Sequence, residues 1–189
     1  MKQIAVLSGK GGTGKTTVAA AFVRLAANHA FADCDVDAPN LQLLYSCRKD
    51  LLREKYFGLK KAVKDYAVCI NCDKCEDRCQ FGAIRNGVLN RLRCEGCGVC
   101  EFVCPALDAS GNKAIRLQDN HAGDMFVCET DPALFSGAQL IMGNGATGKL
   151  VTEVRKNLSQ KMSGQQLIIL DGPPGIGSPV IATSVGVHF

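Results

Sequence analysis

The sequence lacks long apolar runs. No segment approaches the roughly 20 apolar residues that a membrane-spanning helix requires, and the apolar stretch Ile4–Leu7 is too short for the core of a signal peptide. The sequence also shows no basic surface or amphipathic terminal helix of the kind that binds DNA or a membrane. We therefore expect a cytoplasmic protein that binds neither nucleic acid nor membrane.

Cysteine is abundant by contrast, with eleven residues in 189. Because the cytosol keeps thiols reduced, this number points to metal or redox chemistry before disulfides. The composition otherwise resembles that of an ordinary soluble globular protein, with 47% hydrophobic and 21% charged residues. The three histidines have no cysteine or acid at ligand spacing, so no role is assigned to them.

A glycine-rich segment follows the first apolar run. Gln3–Leu7 is typical of a buried parallel strand, and Thr16–Ala27 is typical of a helix packed on a sheet. Between them, Gly9–Thr16 fits the phosphate-loop pattern G-x-x-x-x-G-K-[ST], in which backbone N–H groups surround phosphate oxygens. The alternative is an accidental match by a glycine-rich turn. The predicted nucleotide-binding residues are Gly9, Lys10, Gly11, Gly12, Thr13, Gly14, Lys15, Thr16 and Thr17.

Two acidic segments end later apolar stretches. Asp35 lies in ADCDVDAPN and Asp171 in ILDGPPG. Because the carboxyl ends of parallel strands face the ligand, both acids are expected near the loop, although either one alone could be a cap or turn aspartate. We predict that Lys15 contacts the β- and γ-phosphates, that Thr16, Asp35 and Asp171 form the magnesium site, and that Asp35 orients the attacking water. The predicted γ-phosphate switch comprises Asp171, Gly172, Pro173, Pro174 and Gly175.

Together, KGGTGKT, DCDVDAPN and ILDGPPG resemble the deviant Walker A class of P-loop ATPases, the superfamily of MinD, ParA and the nitrogenase iron protein. In that class a first lysine, here Lys10, reaches across a dimer interface to the phosphates of the other subunit. The resemblance implies that Lys10, Lys15 and Asp35 are catalytic. It also implies an ATP-dependent homodimer, or a heterodimer with a paralogous ATPase. The alternative for Lys10 is a solvated surface lysine.

Eight cysteines form a tandem repeat with an offset of 25 positions. Each run has the bacterial ferredoxin spacing C-x2-C-x2-C-x3-C, in which three thiolates bind one [4Fe–4S] cube and the fourth crosses to the other. The predicted ligands are Cys69, Cys72, Cys75 and Cys104 for one cluster, and Cys79, Cys94, Cys97 and Cys100 for the other. Zinc sites are the alternative, but they require neither the third cysteine nor the crossing fourth.

Two clusters would also account for the charge. Eight thiolates around two cores of about +2 each would bring the formal charge of +4 to about zero, so basicity does not indicate DNA binding. Cys34, Cys47 and Cys128 lie outside the repeat and are interpreted as small buried hydrophobic side chains.

The whole arrangement resembles MinD-superfamily ATPases that carry an inserted ferredoxin domain, over essentially all of the chain. It implies an α/β fold, a P-loop NTPase parallel sheet flanked by helices, with an inserted bacterial ferredoxin-like α+β domain. The predicted segments are 1–60 and 119–189 for the ATPase domain and 61–118 for the insert. Because a new apolar strand begins at the C-terminus, where family members continue, we expect a truncated chain.

The leading hypothesis is an ATP-driven redox switch that passes electrons between two [4Fe–4S] clusters and a redox partner protein. An ATP-dependent iron–sulfur cluster carrier is the alternative. Carriers of the Mrp type place a CxxC pair late in the nucleotide domain, and no CxxC follows Cys104. A third class, positioning ATPases on DNA or membranes, would need the basic surface or terminal helix that this sequence does not show.

Overall fold

The computed structural model describes residues 1–145 and 147–189, and the chain divides into two compact units. The first unit contains Met1–Tyr56, Gly123–Met142 and the C-terminal part of the chain, and the second contains Phe57–Ala122 and Gly143–Gly145. The domain bounds drawn from the sequence stay a prediction. No helix in the described residues is long and apolar enough to cross a membrane.

A six-stranded sheet forms the first unit. Across the sheet the strands are β1 (Lys2–Ser8), β10 (Leu167–Pro174), β2 (His29–Asp33), β9 (Leu134–Leu140), β8 (His121–Glu129) and β3 (Lys49–Phe57). β1, β10, β2 and β9 are mutually parallel. Their interior strands read as continuous apolar runs because both faces of a parallel sheet are covered.

The sheet is not entirely parallel, so the predicted parallel sheet needs correction. β8 and β9 pair antiparallel, with Cys128 opposite Phe135. Only the turn 130–133 joins them, and the N–H of Thr130 donates to the carbonyl of Ala133 at 2.9 Å. A parallel connection needs a crossover of about a dozen residues or more, so this short link forces a hairpin.

In the part of the first unit that the structure describes, the helices are α1 (Lys15–Leu25), α4 (Thr147–Lys161), α5 (Ser178–Ser184) and a 3₁₀ turn, Leu41–Leu43. In residues 148–158 the apolar residues have helical spacing, which predicts that Leu150, Val151, Val154 and Leu158 share one face. This prediction is confirmed, since all four are fully buried in α4. Burying such side chains contributes roughly 1.5–3 kcal/mol each.

Aromatic packing joins the strands beneath the phosphate loop. The Phe31 ring of β2 stacks on the Phe135 ring of β9 at a centroid distance of 4.6 Å, and the Tyr45 ring meets Phe31 edge-on at 4.9 Å. Val23 of α1 and Ile169 of β10 belong to the same buried cluster. The elements that end at the candidate site are therefore held by one core.

The second unit is small and built from short elements. β4 (Lys61–Lys64) pairs antiparallel with β7 (Ile115–Gln118), and β5 (Ile84–Arg85) pairs antiparallel with β6 (Val88–Leu89). Its short helices among the described residues are α2 (Lys74–Asp77), α3 (Val99–Val103) and a 3₁₀ turn, Arg91–Arg93. Ala62, Ile84 and Ile115 form the buried core, and the residues packed against it include Cys75, Cys94, Cys100 and Cys104.

The sequence repeat is also a repeat of backbone conformation. Asn71 and Asp73 of the first cysteine run have φ values of 51° and 57°. Gly96 and Gly98, 25 positions later, have φ values of 69° and 79°. In both runs, two residues with left-handed backbone conformation therefore precede a short helix.

Candidate functional site

The phosphate loop connects β1 to α1. Gly12 and Gly14 adopt φ values of 75° and 85°, a region that side chains rarely tolerate. A Cβ added at any of the loop glycines Gly9, Gly11, Gly12 and Gly14 would meet nothing within 4 Å. The backbone thus bends around open space, the arrangement that an anion cradle requires.

Hydroxyl groups fix the path of this loop. Ser8 Oγ donates to the carbonyl of Lys10 at 2.7 Å, and Thr13 Oγ1 donates to the same carbonyl at 3.3 Å. The Lys10 side chain is exposed, as are the loop glycines and Thr17, whereas Lys15 and Thr16 are half-buried. At the start of α1, Gly14 provides no side-chain cap and the first turn holds no acid. The positive end of the helix is therefore open to a phosphate.

Asp171 contributes a buried carboxylate close to the Thr16 hydroxyl. It is 1% exposed, and neither of its oxygens has a bond of normal geometry within the described part of the chain. Burial raises its pKa, whereas the nearby Thr16 hydroxyl lowers it. An orphaned carboxylate beside a hydroxyl is a pair of hard oxygen donors, which fits Mg²⁺.

Asp35 lies close to the same group of side chains. Burial raises the pKa of this half-buried acid, and the Lys15 ammonium lowers it. The negative charge of Asp35 in turn raises the pKa of Asp171, which Lys15 lowers. The structure thus brings together Lys15, Thr16, Asp35 and Asp171, four residues that the sequence placed in one site.

The segment predicted to be a switch begins inside β10. A Cβ on Gly172 would lie 2.3 Å from Leu7 Cδ2 and 3.1 Å from the Val6 carbonyl oxygen, so a side chain there would require the Leu7 side chain to move and would crowd β1. Gly175, at φ 98°, donates its N–H to the Ser8 carbonyl at 3.0 Å. The far end of the segment is thereby hydrogen-bonded to the residue that precedes the phosphate loop.

The eight repeat cysteines line two cavities of the second unit. Cys69, Cys72, Cys75 and Cys104 line one, and Cys79, Cys94, Cys97 and Cys100 line the other. The last cysteine of each run thus lies with the first three of the other run.

Backbone N–H groups already point at several of these sulfurs. The N–H of Ala62 donates to Cys94 Sγ and that of Ala83 to Cys79 Sγ, each at 3.3 Å. Burial raises the pKa of the Cys100 thiol to about 11. Within 1–145 and 147–189, no three His, Cys, Asp or Glu side chains converge closely enough to hold a single metal ion. A zinc ion would draw its sulfurs to within about 4 Å of one another.

A family comparison decides the class of the nucleotide site. The model of the CobQ/CobB/MinD/ParA nucleotide-binding domain matches residues 4–170. The chain belongs to this family. Its phosphate loop therefore lies in a nucleotide-binding domain of the MinD/ParA type, which supports binding of ATP with Mg²⁺. Members of the family are typically P-loop ATPases.

Two uncharacterized proteins of Methanocaldococcus jannaschii are similar to the chain. One is 35% identical over 184 residues, which cover 96% of this chain and 63% of the relative. The other is 26% identical over 159 residues, which cover 82% of this chain and 56% of the relative. This MinD/ParA-type chain therefore spans less than two thirds of the length of either relative.

Asp33 is a site residue that the sequence analysis missed. It ends β2 opposite Asp171 of β10 and is 1% exposed. Burial raises its pKa to about 7, hydrogen bonds from backbone amides such as that of Leu41 oppose the rise, and the Asp171 charge adds to it. The available signal was an acid at the end of an apolar strand two residues before Asp35.

Two of the cysteines outside the repeat are not free thiols. Cys47, which is exposed, and Cys128, which is fully buried in β8, form a disulfide. The interpretation as a small buried hydrophobic side chain is wrong for Cys47, which is exposed, and is confirmed for the burial of Cys128. The disulfide was not predicted; it forms because the chain before β3 runs back along β8 and brings the sulfurs together. For Cys34 the interpretation is confirmed, since it is fully buried and unpaired.

Proposed function

We propose that this chain couples ATP hydrolysis to single-electron transfer through two [4Fe–4S] clusters. One observation carries the proposal: in the second unit, eight cysteines separate into two cavities, with one cysteine exchanged between the runs. Exchange of the fourth ligand is the arrangement that ferredoxin spacing serves.

The nucleotide part of the mechanism uses the side chains around the phosphate loop. Lys15 neutralises the β- and γ-phosphates, and the backbone N–H groups of Gly12–Gly14 bind their oxygens. Thr16 and Asp171 would hold Mg²⁺, whose coordination would satisfy the Asp171 carboxylate oxygens that lack hydrogen bonds among the described residues. Asp35, on the same side as Lys15, accepts a hydrogen bond from the water that attacks the γ-phosphate.

The cysteine cavities fit cubes better than single ions. Each provides four thiols, and backbone N–H groups of Ala62 and Ala83 donate to sulfurs of one set while that of Asn71 donates to Cys69 Sγ at 3.5 Å. Such N–H···S bonds stabilise thiolate ligands. When bound, the clusters would accept and release one electron each.

Dimer closure would link the two activities. Lys10 stands exposed on the loop, and its ammonium group makes no ion pair among the residues that the structure describes. It is therefore available to phosphates bound by a second copy or by a paralogous ATPase. Loss of the γ-phosphate would release Gly172–Gly175, which is bonded to Ser8, and so reopen the interface.

The test is anaerobic purification of the full chain followed by iron and sulfide analysis and EPR after dithionite reduction. We expect about eight irons per chain and a reduced-cluster signal that changes with MgATP. Cys72→Ser should lower the iron content by about half, whereas the matched control Cys47→Ser, outside both cavities, should not. Zinc in place of iron, or iron below two per chain after reconstitution, would refute the cluster assignment.

The same preparation separates electron transfer from cluster delivery. Clusters that stay bound when an apo-ferredoxin is added, with or without ATP, support the redox function. Transfer of iron and sulfide to the acceptor that accelerates with MgATP would favour the carrier alternative instead.

A further inference from the structure

The carboxylate of Asp33 closes the loop that carries Asp35. Its Oδ1 accepts the N–H of Asp35 at 3.0 Å, while its Oδ2 accepts those of Asn40 at 2.9 Å and Leu41 at 3.0 Å. The loop between β2 and the next helical turn comprises residues 34–40. One buried side chain therefore binds Asp35 near the start of this loop, Asn40 at its end and Leu41 just beyond it.

Other contacts within the described residues also hold the loop: the N–H of Cys34 donates to the Asp171 carbonyl at 2.8 Å, and Asn40 Nδ2 donates to the Ala38 carbonyl at 2.8 Å. The N–H of Ala38 donates to the Asp35 carbonyl at 3.2 Å, forming a turn, and the N–H of Leu140 donates to the Val36 carbonyl at 2.9 Å. Beyond the loop, Leu41 is fully buried in the aromatic core. Asp33 thus connects the rigid core to the backbone amide of Asp35.

We propose that Asp33 is a positioning residue for ATP hydrolysis, which holds the backbone of Asp35 so that its carboxylate stays close to Lys15 of the phosphate loop. This inference rests on the proposed ATPase function. Within the described residues the hydrogen bonds of the Asp33 carboxylate go to the loop that carries Asp35 and not to the phosphate-loop glycines, so its loss should affect turnover far more than nucleotide affinity. Without Asp33, three N–H groups lose their acceptor, and the loop must rearrange to satisfy them.

The direct test is Asp33→Asn in the full chain, with Asp37→Asn as the matched control. Both variants replace a carboxyl group of the same segment by an amide, but Asp37 is exposed, and Asp33, with a pKa of about 7, is only partly charged at neutral pH. Asn keeps one acceptor oxygen and turns its NH₂ group toward N–H donors. We expect Asp33→Asn to lower kcat by about 10- to 100-fold, the usual result of displacing a reacting group by about 1 Å. The MgATP dissociation constant should change by less than about threefold, and Asp37→Asn should behave as wild type. An unchanged kcat, or an equal loss in kcat and affinity, would overturn the proposal.

Hydrogen exchange of the wild-type chain tests the same backbone contacts without any variant, so it gives an answer even where Asp33→Asn does not fold. The amides of Asp35, Asn40 and Leu41 should be protected without nucleotide, whereas that of the exposed Asp37 should exchange rapidly. Rapid exchange at all four positions would show that the Asp33 carboxylate does not hold these amides, and would refute the proposal. A wild-type chain that binds MgATP without turnover would refute the proposed hydrolysis, and the exchange pattern would then still decide whether Asp33 fixes the loop.

Discussion

Gly96 is the position at which a single added side chain should most damage the cysteine-rich unit. A Cβ there would lie 2.1 Å from the Lys60 carbonyl oxygen and 3.3 Å from its carbonyl carbon. The obstacle is backbone and not a flexible side chain, so about 1 Å of main-chain movement is needed to restore normal contact. Two residues later, a Cβ on Gly98 would make only an ordinary contact of 3.5 Å, with Leu117 Cδ1.

The comparison of Gly96→Asn with Gly98→Asn isolates this effect. Both residues are left-handed, and asparagine is the side chain that best tolerates that region. The first run even has Asn71 at the position equivalent to Gly96. The backbone cost, on the order of 1 kcal/mol, is therefore common to both variants. Overpacking against Lys60 should add about 1–3 kcal/mol in Gly96→Asn alone.

Urea unfolding of the full chain, followed by circular dichroism, measures the difference. Lys60 lies two residues before Ala62, whose N–H donates to Cys94 Sγ. Displacement of Lys60 should therefore disturb this bond and lower iron incorporation in Gly96→Asn. Equal free energies of unfolding in the two variants would show that the chain does not approach Gly96 closely, and the reasoning would fail.

Three further outcomes are expected. Cys47→Ser should lower the free energy of unfolding by about 2–4 kcal/mol, because the disulfide joins residues 81 apart. Wild-type protein in dithiothreitol should lose the same stability. An unchanged free energy of unfolding in both would contradict the disulfide. Lys10→Gln should still bind MgATP but fail to dimerise in sedimentation, and a surviving MgATP-dependent dimer would refute its role across the interface. Burial lowers the pKa of His29 below 6.5, so stability present above pH 6.5 should be lost as the pH falls through the lowered value. Urea melts at pH 7.5 and 5.5 should therefore show a smaller loss in His29→Gln, and an equal loss would exclude His29 as the cause.

Local patterns predicted the parts of the fold that depend on neighbours in sequence. The strand before Gly9, the helix after it and the buried face of α4 each follow from the spacing of a few apolar residues. The grouping of Asp171 with Lys15 followed from a rule of parallel sheets, that strand ends carry the ligand.

Features that depend on distant pairing were beyond this reasoning. The antiparallel place of β8 depends on which strand neighbours β9, and no motif marks it. The bond between Cys47 and Cys128 requires the chain to return along the sheet after 81 residues. Asp33 was visible as an acid, but its role lies in three backbone N–H groups, which no side-chain pattern records.

The surroundings of glycines and acids help to separate folding from function. A side chain at Gly96 would collide with the Lys60 backbone, so close packing explains that glycine. Gly12 and Gly14 have open space at the Cβ position, but so do Gly111 and Gly164, so open space by itself marks no site. Asp171 is the stronger signal, because it is buried and, within the described part of the chain, neither carboxylate oxygen has a hydrogen bond of normal geometry. A residue that contradicts the rules of folding in this way is expected where a ligand supplies the missing contacts.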